Sequence, residues 1–312
     1  MGAGTDKKKF IRDLLRNFKS EKELWLLSIP ILFWVGLFCY YPMYGVLIAF
    51  YNYVPGQAFF ASEFVGLAHI KSFITNRMFF QLLRNTLVMS LLGTTIGGVA
   101  PIVFSLMLNE IGSKNVKRTI QTISYLPHFI SWIAAGSMIY AFLSSDGLVN
   151  DLGKRFGLIE NAIPFLATGR YYWAIFTIAN IWKGIGWSSI IYLAAINSVD
   201  SSLYESCSID GGGRWSMMWH ITLPAIRPTI VMLLILSFGG ILSAGFDQHL
   251  ILGNPSTQAY WDVIDTYVYR YGIQQGNFSM ATAVSLAKSV IGFALVYLTN
   301  RISRKVLDIA LF

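Results

Sequence analysis

Long apolar runs alternate with polar connections along the chain. A bilayer core about 30 Å thick is crossed by roughly 20 residues of helix, and six runs reach or approach that length. They cover residues 24–50, 82–108, 120–143, 172–197, 229–246 and 280–299. We therefore expect an all-α, polytopic membrane protein with about six transmembrane helices.

Composition agrees with a lipid environment. Hydrophobic residues make up 54% of the chain and charged residues only 13%, whereas a soluble surface carries about 25–35% charged residues. The net charge of +8 does not indicate a nucleic-acid partner, because the basic residues fall in short blocks between apolar runs. In that position Lys and Arg orient helices in a bilayer.

The same basic residues predict the orientation of the chain. With the N-terminus inside, the termini and inner connections hold 15 Lys and Arg residues, and the outer connections hold six, namely Lys71, Arg77, Lys154, Arg155, Arg170 and Arg270. Cytoplasmic segments are the ones enriched in Lys and Arg. Both termini are therefore expected in the cytoplasm.

The segment before the first span, residues 1–23, is basic and has its own apolar pattern. Phe10, Ile11, Leu14, Leu15 and Phe18 recur at helical spacing among lysines and arginines, which is typical of a helix on a membrane surface. A frayed basic tail is the alternative. The following run is too long for a cleaved signal and lacks a small-residue cleavage site, so residues 24–312 are expected to form one transmembrane domain.

The inner connection 198–228 is too long to be a plain turn. Ser202 and Glu205 fit a capping box that starts a short helix. The glycines of 210–213 should break that helix, because glycine readily adopts left-handed backbone angles. A second short helix over about 214–221 and Pro228 in the first turn of the next span complete the expected arrangement, with both short helices parallel to the membrane.

This connection resembles the EAA loop of ABC importer permeases, whose pattern is E-A-A, then D-G-A, then I-x-L-P and a further Pro. The matching positions are Glu205, Asp210, Gly211, Ile221, Leu223, Pro224 and Pro228. In that family the loop is a coupling helix that seats in a cleft of the cytoplasmic ATPase. The residues expected to couple to the ATPase are Glu205, Asp210, Gly211, Gly212, Arg214, Leu223 and Pro224.

Three positions depart from the family pattern. Ser206 and Cys207 replace the two alanines, and Gly212 replaces the alanine after Asp-Gly. All three residues are small, so close packing against a partner is expected to survive. The extra glycine is expected to loosen the elbow.

The resemblance extends over about residues 85–312. The stretches 121–132, 246–247 and 262–270 are similar to the oligosaccharide and polysaccharide branch of these permeases. The resemblance implies the type I importer fold in a bacterial cytoplasmic membrane and uptake of an oligosaccharide or polysaccharide. It also implies a second permease subunit, two ATPase subunits and an extracytoplasmic binding protein; ATP and Mg would be used by the ATPases, and no cofactor is expected on this chain.

Two lysines lie inside predicted spans and suggest a substrate pathway. Lys183 is expected on one face with Asn180 and Trp187, and Lys288 on one face with Ser285. A charge at such depth usually faces a bundle interior or a watery cavity. If both lysines line the pathway, they favour an acidic sugar such as a uronate oligomer. The alternative is that they snorkel or pair with a neighbouring subunit.

Other functions find less support in the residues. His69, His128, His220 and His249 are scattered over separate segments, and the sequence has neither a zinc-protease motif nor a nucleotide-binding P-loop. A membrane glycosyltransferase would need more cytoplasmic carboxylates. An ion-coupled secondary sugar carrier, the main alternative, would need acidic residues within the spans, and the six runs contain none. A membrane scaffold without transport is the remaining alternative.

The charge distribution makes a direct prediction for topology. In a cysteine-accessibility map, a cysteine at Ser256 should react only with an impermeant reagent added outside, and one at Ser201 only with reagent added inside. Labelling from the opposite sides would reverse the orientation and remove the 198–228 connection from the cytoplasm.

Overall fold

The computed structural model describes residues 21–57 and 61–309, so nearly all of the predicted N-terminal surface helix lies outside the described residues. The described part is helical. In chain order the principal helices are α1 Lys22–Phe50, α2 Ala68–Ile74, α3 Phe79–Asn109, α4 Lys114–Phe129, α5 Trp132–Leu143, α6 Leu148–Arg155, α7 Gly169–Asn197, α8 Ser201–Ile209, α9 Arg214–Gly239, α10 Phe246–Leu252, α11 Gln258–Trp261, α12 Ile264–Tyr267 and α13 Phe278–Leu307. The all-α prediction is confirmed.

Within residues 21–57 and 61–309, five stretches are long and apolar enough to cross a membrane: α1, α3, the α5–α6 stretch Trp132–Arg155, α9 and α13. The sixth predicted span forms α7, which has 29 residues and is therefore about 44 Å long at 1.5 Å per residue. Tyrosines, tryptophans and polar side chains make α7 less apolar than the other long helices. Its length nevertheless suffices to cross the bilayer.

The third predicted span is not one helix. It breaks between α4 and α5, where Ile130 and Ser131 adopt extended backbone angles. Pro127 lacks an N–H in the last turn of α4, and the Ser131 hydroxyl accepts a hydrogen bond from the Ala134 N–H at 3.2 Å, which caps α5. The prediction of a continuous helix over 120–143 was wrong because it weighed apolar length above these local stop and start signals.

The fifth span also differs from its prediction. Helix α9 begins at Arg214, runs through a wide π-helical turn at Met218–Thr222 and ends at Gly239. Pro228 lies inside this helix, not in its first turn. The wide turn precedes Pro224, whose missing N–H a regular helix would have needed, and π turns relieve such a defect. The predicted second helix parallel to the membrane is therefore the continuous start of α9.

Helix α7 is the centre of the bundle and packs against α3, α4 and α9. Two apolar clusters fill the outer half of the bundle. One includes Leu82, Ile264 and Val284, and the other includes Met89, Phe176 and Leu252. The first half of α1 contributes no buried residue, which costs nothing in lipid because the bilayer is as apolar as these side chains.

Glycines mark the closest helix crossings. At Gly186 of α7, an added Cβ would overlap the backbone carbonyl of Ser124 on α4. At Gly292 of α13, it would overlap the carbonyl of Gly239 at the end of α9. Small residues allow membrane helices to approach this closely. These two contacts fix the distances of α4 and α13 from their neighbours.

Gly186 and Gly184 form a matched pair for a stability test. Gly184 lies on the same helix, and an added Cβ there meets no atom within 4 Å. Gly186→Ala should lower stability by about 1–3 kcal/mol through overpacking, whereas Gly184→Ala should be neutral or slightly stabilising because alanine favours helix. The thermal unfolding midpoint of each purified variant in detergent measures the difference. Equal midpoints would contradict the close crossing of α4 and α7.

Candidate transport cavity and coupling elbow

A cavity of about 690 Å³ lies between α3, α7 and α9. Glycines of α3 open one side of it, at Gly93, Gly97 and Gly98. The opposite wall comes from α7 and α9, and the outer end is formed by residues 243–248. The polar and aromatic lining residues include Ser90, Thr94, Asn180, Trp187, Ser237 and Gln248.

The lining of this cavity carries no charged side chain among the described residues. Hydroxyl and amide groups provide its polar contacts, and Trp187 provides an aromatic surface. The Ser90 hydroxyl is buried and has no hydrogen-bond partner within the described residues. Such a wall suits a ligand that offers many hydroxyl groups, since each buried polar group needs a partner.

The five predicted pathway residues do not lie together. Asn180 and Trp187 line the cavity. Lys183 is only 9% exposed and lies outside the lining; its Nζ donates to the carbonyl of His128 at 2.7 Å. Asn180 and Trp187 thus keep the position that the helical spacing predicted, while Lys183, at the edge of the same face, points towards α4. Their contact with a substrate stays a prediction.

Lys288 and Ser285 also lie outside the cavity lining. Lys288 on α13 forms an ion pair with Asp265 on α12. The predicted alternative for this lysine was pairing with a neighbouring subunit, and the structure shows a partner within the chain. The partner was missed because Asp265 belongs to an outer connection and not to a predicted span.

The outer connection after α9 folds back into the bundle. Asp262 is fully buried, pairs with Arg270, and accepts a hydrogen bond from the Thr266 hydroxyl at 2.6 Å. The middle of this connection therefore belongs to the core of the protein. Period and hydropathy give no signal for such a segment, because its helices have only four to seven residues.

Three consecutive residues at the start of α3 bind this connection. Arg84 donates to the carbonyl of Ala259 at 2.7 Å. The Asn85 side chain, fully buried, donates to the carbonyls of Ala259 and Asp262 at 3.1 and 2.9 Å. The Thr86 hydroxyl accepts from the N–H of Ile264 at 3.0 Å. Side chains of a long helix therefore satisfy backbone groups of a segment that is too irregular to satisfy its own.

His249 on α10 lies next to the outer end of the cavity, in contact with the lining residue Phe176. It is fully buried and stacks on Phe176 with ring centroids 4.2 Å apart. Its Nε2 donates to the carbonyl of Ala244 at 3.1 Å, so its Nδ1 accepts from the Tyr172 hydroxyl at 2.9 Å. Burial lowers the pKa of His249 to about 3. The ring is therefore neutral at physiological pH.

At the cytoplasmic end, the short helix α8 begins with a different cap from the predicted one. The Asp200 carboxylate, not Ser202, is the N-cap and accepts from the N–H of Ser202 at 2.9 Å. These hydrogen bonds lower the pKa of Asp200. Glu205 is exposed. The capping-box prediction was wrong because an aspartate two residues earlier offers an equally good cap.

The predicted glycine elbow is present between α8 and α9. Gly211 has a φ of +80°, a left-handed conformation that favours glycine. An added Cβ at Gly212 would overlap the Cys207 side chain and its carbonyl. Cys207 therefore occupies the space that the family's alanine at position 212 would need. The Cys207 side chain fills the space beside Gly212, and a looser elbow stays a prediction.

The elbow is connected to α9 in two ways. The chain itself passes through Asp210–Gly213 to Arg214, the first residue of α9. In addition, the Tyr204 hydroxyl on α8 is 3.0 Å from the hydroxyl of Thr222, which is nearly fully buried. Leu223 and Pro224 follow directly in α9. Sequence reasoning missed the Tyr204–Thr222 contact because nothing local pairs residues 18 positions apart.

The buried neutral His249 predicts a pH dependence. In the unfolded chain His249 has its ordinary pKa of 6.5, whereas in the folded chain its pKa is about 3. The stability that depends on neutral His249 is therefore fully present above pH 6.5 and is lost as the pH falls. Between pH 7.5 and pH 5 the loss should be about 2 kcal/mol. The unfolding midpoints of wild type and His249→Gln at both pH values measure this loss of stability. The variant should lose less stability on acidification. An identical loss in both proteins would contradict a buried, neutral His249.

Comparison with known proteins places these features in a family. Residues 93–308 match the family described as binding-protein-dependent transport system inner membrane component. The chain is similar to the polygalacturonan/rhamnogalacturonan transport system permease protein YteP of Bacillus subtilis, with 42% identity over 96% of this chain and 93% of that protein. It is also similar to protein LplB of Bacillus subtilis, with 44% identity over 92% of this chain and 90% of that protein.

A solved structure shows the same fold. The chain matches a bacterial ABC transporter involved in the import of the acidic polysaccharide alginate, with a TM-score of 0.85 and 36% identity over 94% of this chain and 99% of that chain. The same match is found, with a TM-score of 0.86, for an alginate ABC transporter in complex with an alginate pentasaccharide-bound periplasmic protein. With more than two thirds of its length matched by the family and two relatives above 40% identity along nearly their whole length, this chain belongs to the inner membrane components of binding-protein-dependent transport systems.

Proposed function

We propose that this chain is a permease subunit of an ABC importer for acidic oligosaccharides. It receives a uronate-containing oligosaccharide from an extracytoplasmic binding protein and passes it into the cytoplasm. A second, homologous permease subunit completes the pathway, and two ATPase subunits on the cytoplasmic side use ATP and Mg. Both termini lie in the cytoplasm, as the charge distribution predicts.

The substrate class is supported by the relatives. YteP is named for polygalacturonan and rhamnogalacturonan, and the structural match concerns alginate, which its description calls an acidic polysaccharide. All three names refer to polymers that contain acidic sugars, and the similarity spans almost the whole chain. The coarse class, a saccharide, is compatible with the uncharged cavity, whose mostly apolar wall also carries several hydroxyl and amide groups.

The uncharged cavity refines the role of this subunit. A sugar ring offers hydroxyl groups at its edge and apolar C–H groups on its face. Asn180 and Gln248 suit the edge, while the half-exposed indole of Trp187 suits the face. Since no charged group of the described residues lines the wall, selection for carboxylates belongs to the binding protein and the partner permease. This chain provides a passage that tolerates the saccharide.

The coupling mechanism follows from the shape of α8 and α9. The observation that carries it is the elbow at Gly211, next to which Ile209 is 86% exposed and Trp215 is 73% exposed. Two large apolar side chains exposed on the cytoplasmic side fit the buried centre of a protein interface. We assign them to the ATPase contact together with Glu205, Asp210 and Arg214. Sequence reasoning missed Ile209 because the family pattern does not single it out.

Movement of the elbow reaches the cavity through one rigid element. Helix α9 is continuous from Arg214 to Gly239, and its residues Ile230, Leu233 and Ser237 line the cavity. When the ATPases close, they would pull on α8, which acts on α9 through the elbow and through the Tyr204–Thr222 contact. A displacement at the cytoplasmic end then changes the cavity wall roughly 20–35 Å away, at 1.5 Å per residue.

The geometry of the elbow predicts that substitutions at Gly211 and Glu205 reduce coupling to the ATPase. Gly213 serves as the control position. Gly211→Pro is incompatible with a φ of +80°, because proline fixes φ near −65°, and Glu205→Ala removes an exposed carboxylate. Both should leave the chain inserted but reduce substrate-stimulated ATP hydrolysis and uptake by about tenfold or more, as expected from about 1.4 kcal/mol of lost coupling. Gly213→Ala should be close to wild type, since Gly213 has a φ of −86° and open space at its Cβ.

The measurement is ATP hydrolysis and uptake by the complete transporter in proteoliposomes, with a binding protein loaded with oligogalacturonate. Copurification of the ATPase with each variant separates weak docking from failed transmission. Normal uptake in both Gly211→Pro and Glu205→Ala would overturn the coupling assignment. Loss of activity in Gly213→Ala as well would show that the elbow is generally fragile and would remove the support from Gly211.

A further inference from the structure

The break between α4 and α5 exposes the carboxyl end of α4 inside the bundle. The last carbonyls of a helix have no partner within it and carry a partial negative charge. At this break the chain becomes extended at Ile130, so the residues that follow do not supply helical N–H groups to the last carbonyls of α4. The carbonyl of His128 finds its partner on another helix, the Lys183 ammonium at 2.7 Å.

Lys183 contacts both sides of the break. Besides the His128 carbonyl of α4, its Nζ lies 5.6 Å from the ring centroid of Trp132, the first residue of α5. A cation at a helix carboxyl end is stabilised by the helix dipole, and a cation over an indole by the ring quadrupole. The single ammonium of Lys183 thus fastens the end of one half-helix and the start of the other to the middle of α7.

The same His128 is held a second time, by a residue of the cavity wall. Its imidazole stacks on the indole of Trp187 with centroids 4.5 Å apart and an interplanar angle of 2°. Trp187 follows Lys183 by about one helical turn, so the two side chains leave α7 as neighbours on one face. His128 is therefore bound through its carbonyl by Lys183 and through its ring by Trp187, and Trp187 lines the cavity.

We propose that Lys183 is a positioning residue for the transport cavity: its ammonium caps α4 at the break and thereby holds the His128 ring against Trp187, so that the indole presents a fixed aromatic wall to the saccharide. Lys183 acts through Trp187 and does not itself contact the substrate. Its effect is independent of the charge on the sugar. This inference deepens the proposed saccharide import and rests on it for the transport readout.

Three variants separate this role from that of a counter-ion. Lys183→Met keeps length and removes the charge and the donors; Lys183→Arg keeps a cation and donors; and Trp187→Leu removes the aromatic wall while Lys183 remains. The probes are an oligogalacturonate and the same oligomer with its carboxylates reduced to hydroxymethyl groups. The mutant-to-wild-type ratio is compared for each probe, so that any preference of the binding protein cancels.

In the complete transporter, Lys183→Met should raise the apparent KM roughly two- to tenfold for both probes, the range expected from losing one aromatic contact. The maximal rate should change little, and Lys183→Arg should restore most of the loss. In the Trp187→Leu background, Lys183→Met should add nothing further. A rise confined to the acidic probe would make Lys183 a counter-ion, and additive losses would show that it does not act through Trp187. Either result overturns the proposal.

A readout without transport keeps the two hypotheses distinguishable. Hydrogen–deuterium exchange of the segment 128–135 should be faster in Lys183→Met than in wild type, because the cap no longer holds the break, and close to wild type in Lys183→Arg. Unchanged exchange in Lys183→Met would also overturn the proposal. If wild type imports neither probe, the saccharide function fails, while faster exchange in Lys183→Met alone would still establish the cap.

Discussion

Every backbone N–H and C=O inside a bilayer needs a partner, because lipid offers none, and the functional part of this protein is built where the chain interrupts its helices and must find partners elsewhere. One interruption separates α4 from α5 and is satisfied by Lys183 and Ser131. The larger one is the connection between α9 and α13, whose carbonyls and N–H groups are bound by side chains of α3. The outer connection borders the cavity directly through residues 243–248, and the α4–α5 break reaches it through the stacking of His128 on the lining residue Trp187.

Buried ion pairs serve the same arrangement. Removing one partner of such a pair costs about 3–5 kcal/mol, although the intact pair adds little to stability. Asp262–Arg270 lies within the outer connection, and Asp265–Lys288 joins that connection to α13. Their contribution is therefore to geometry: one pair stabilises the fold of the outer connection and the other fixes the connection to α13. Residues 243–248 at the start of this connection form the outer end of the cavity.

Periodicity and composition predict the long helices well. Helix α3 ends within three residues of both predicted ends, and α13 begins two residues before its predicted start and ends eight residues after its predicted end. Runs of about 20 apolar residues are long enough to cross a bilayer as a helix. The Gly211 elbow was also predictable, because a run of three glycines after a helix cap has a local cause. The structure places Asp210, Gly211 and Gly212 in this elbow, and their contact with an ATPase stays a prediction.

The remaining features depend on contacts between distant residues. The continuity of α9 through Pro224 and Pro228 depends on the π-helical turn at Met218–Thr222. No local sequence pattern predicts this turn. The partner of Lys183 is a carbonyl, which every residue carries, so the sequence cannot identify it. Lys288 looked like a pathway charge because Asp265 lies in an outer connection, and only the fold shows that this connection returns to the bundle.

We propose that this chain forms the membrane passage for an acidic oligosaccharide. The most direct measurement is the uptake of radiolabelled oligogalacturonate into proteoliposomes that contain the complete transporter, with ATP inside and the binding protein outside. Accumulation should require ATP, the binding protein and this subunit together. Accumulation that proceeds without ATP, or that is driven by an ion gradient alone, would contradict it.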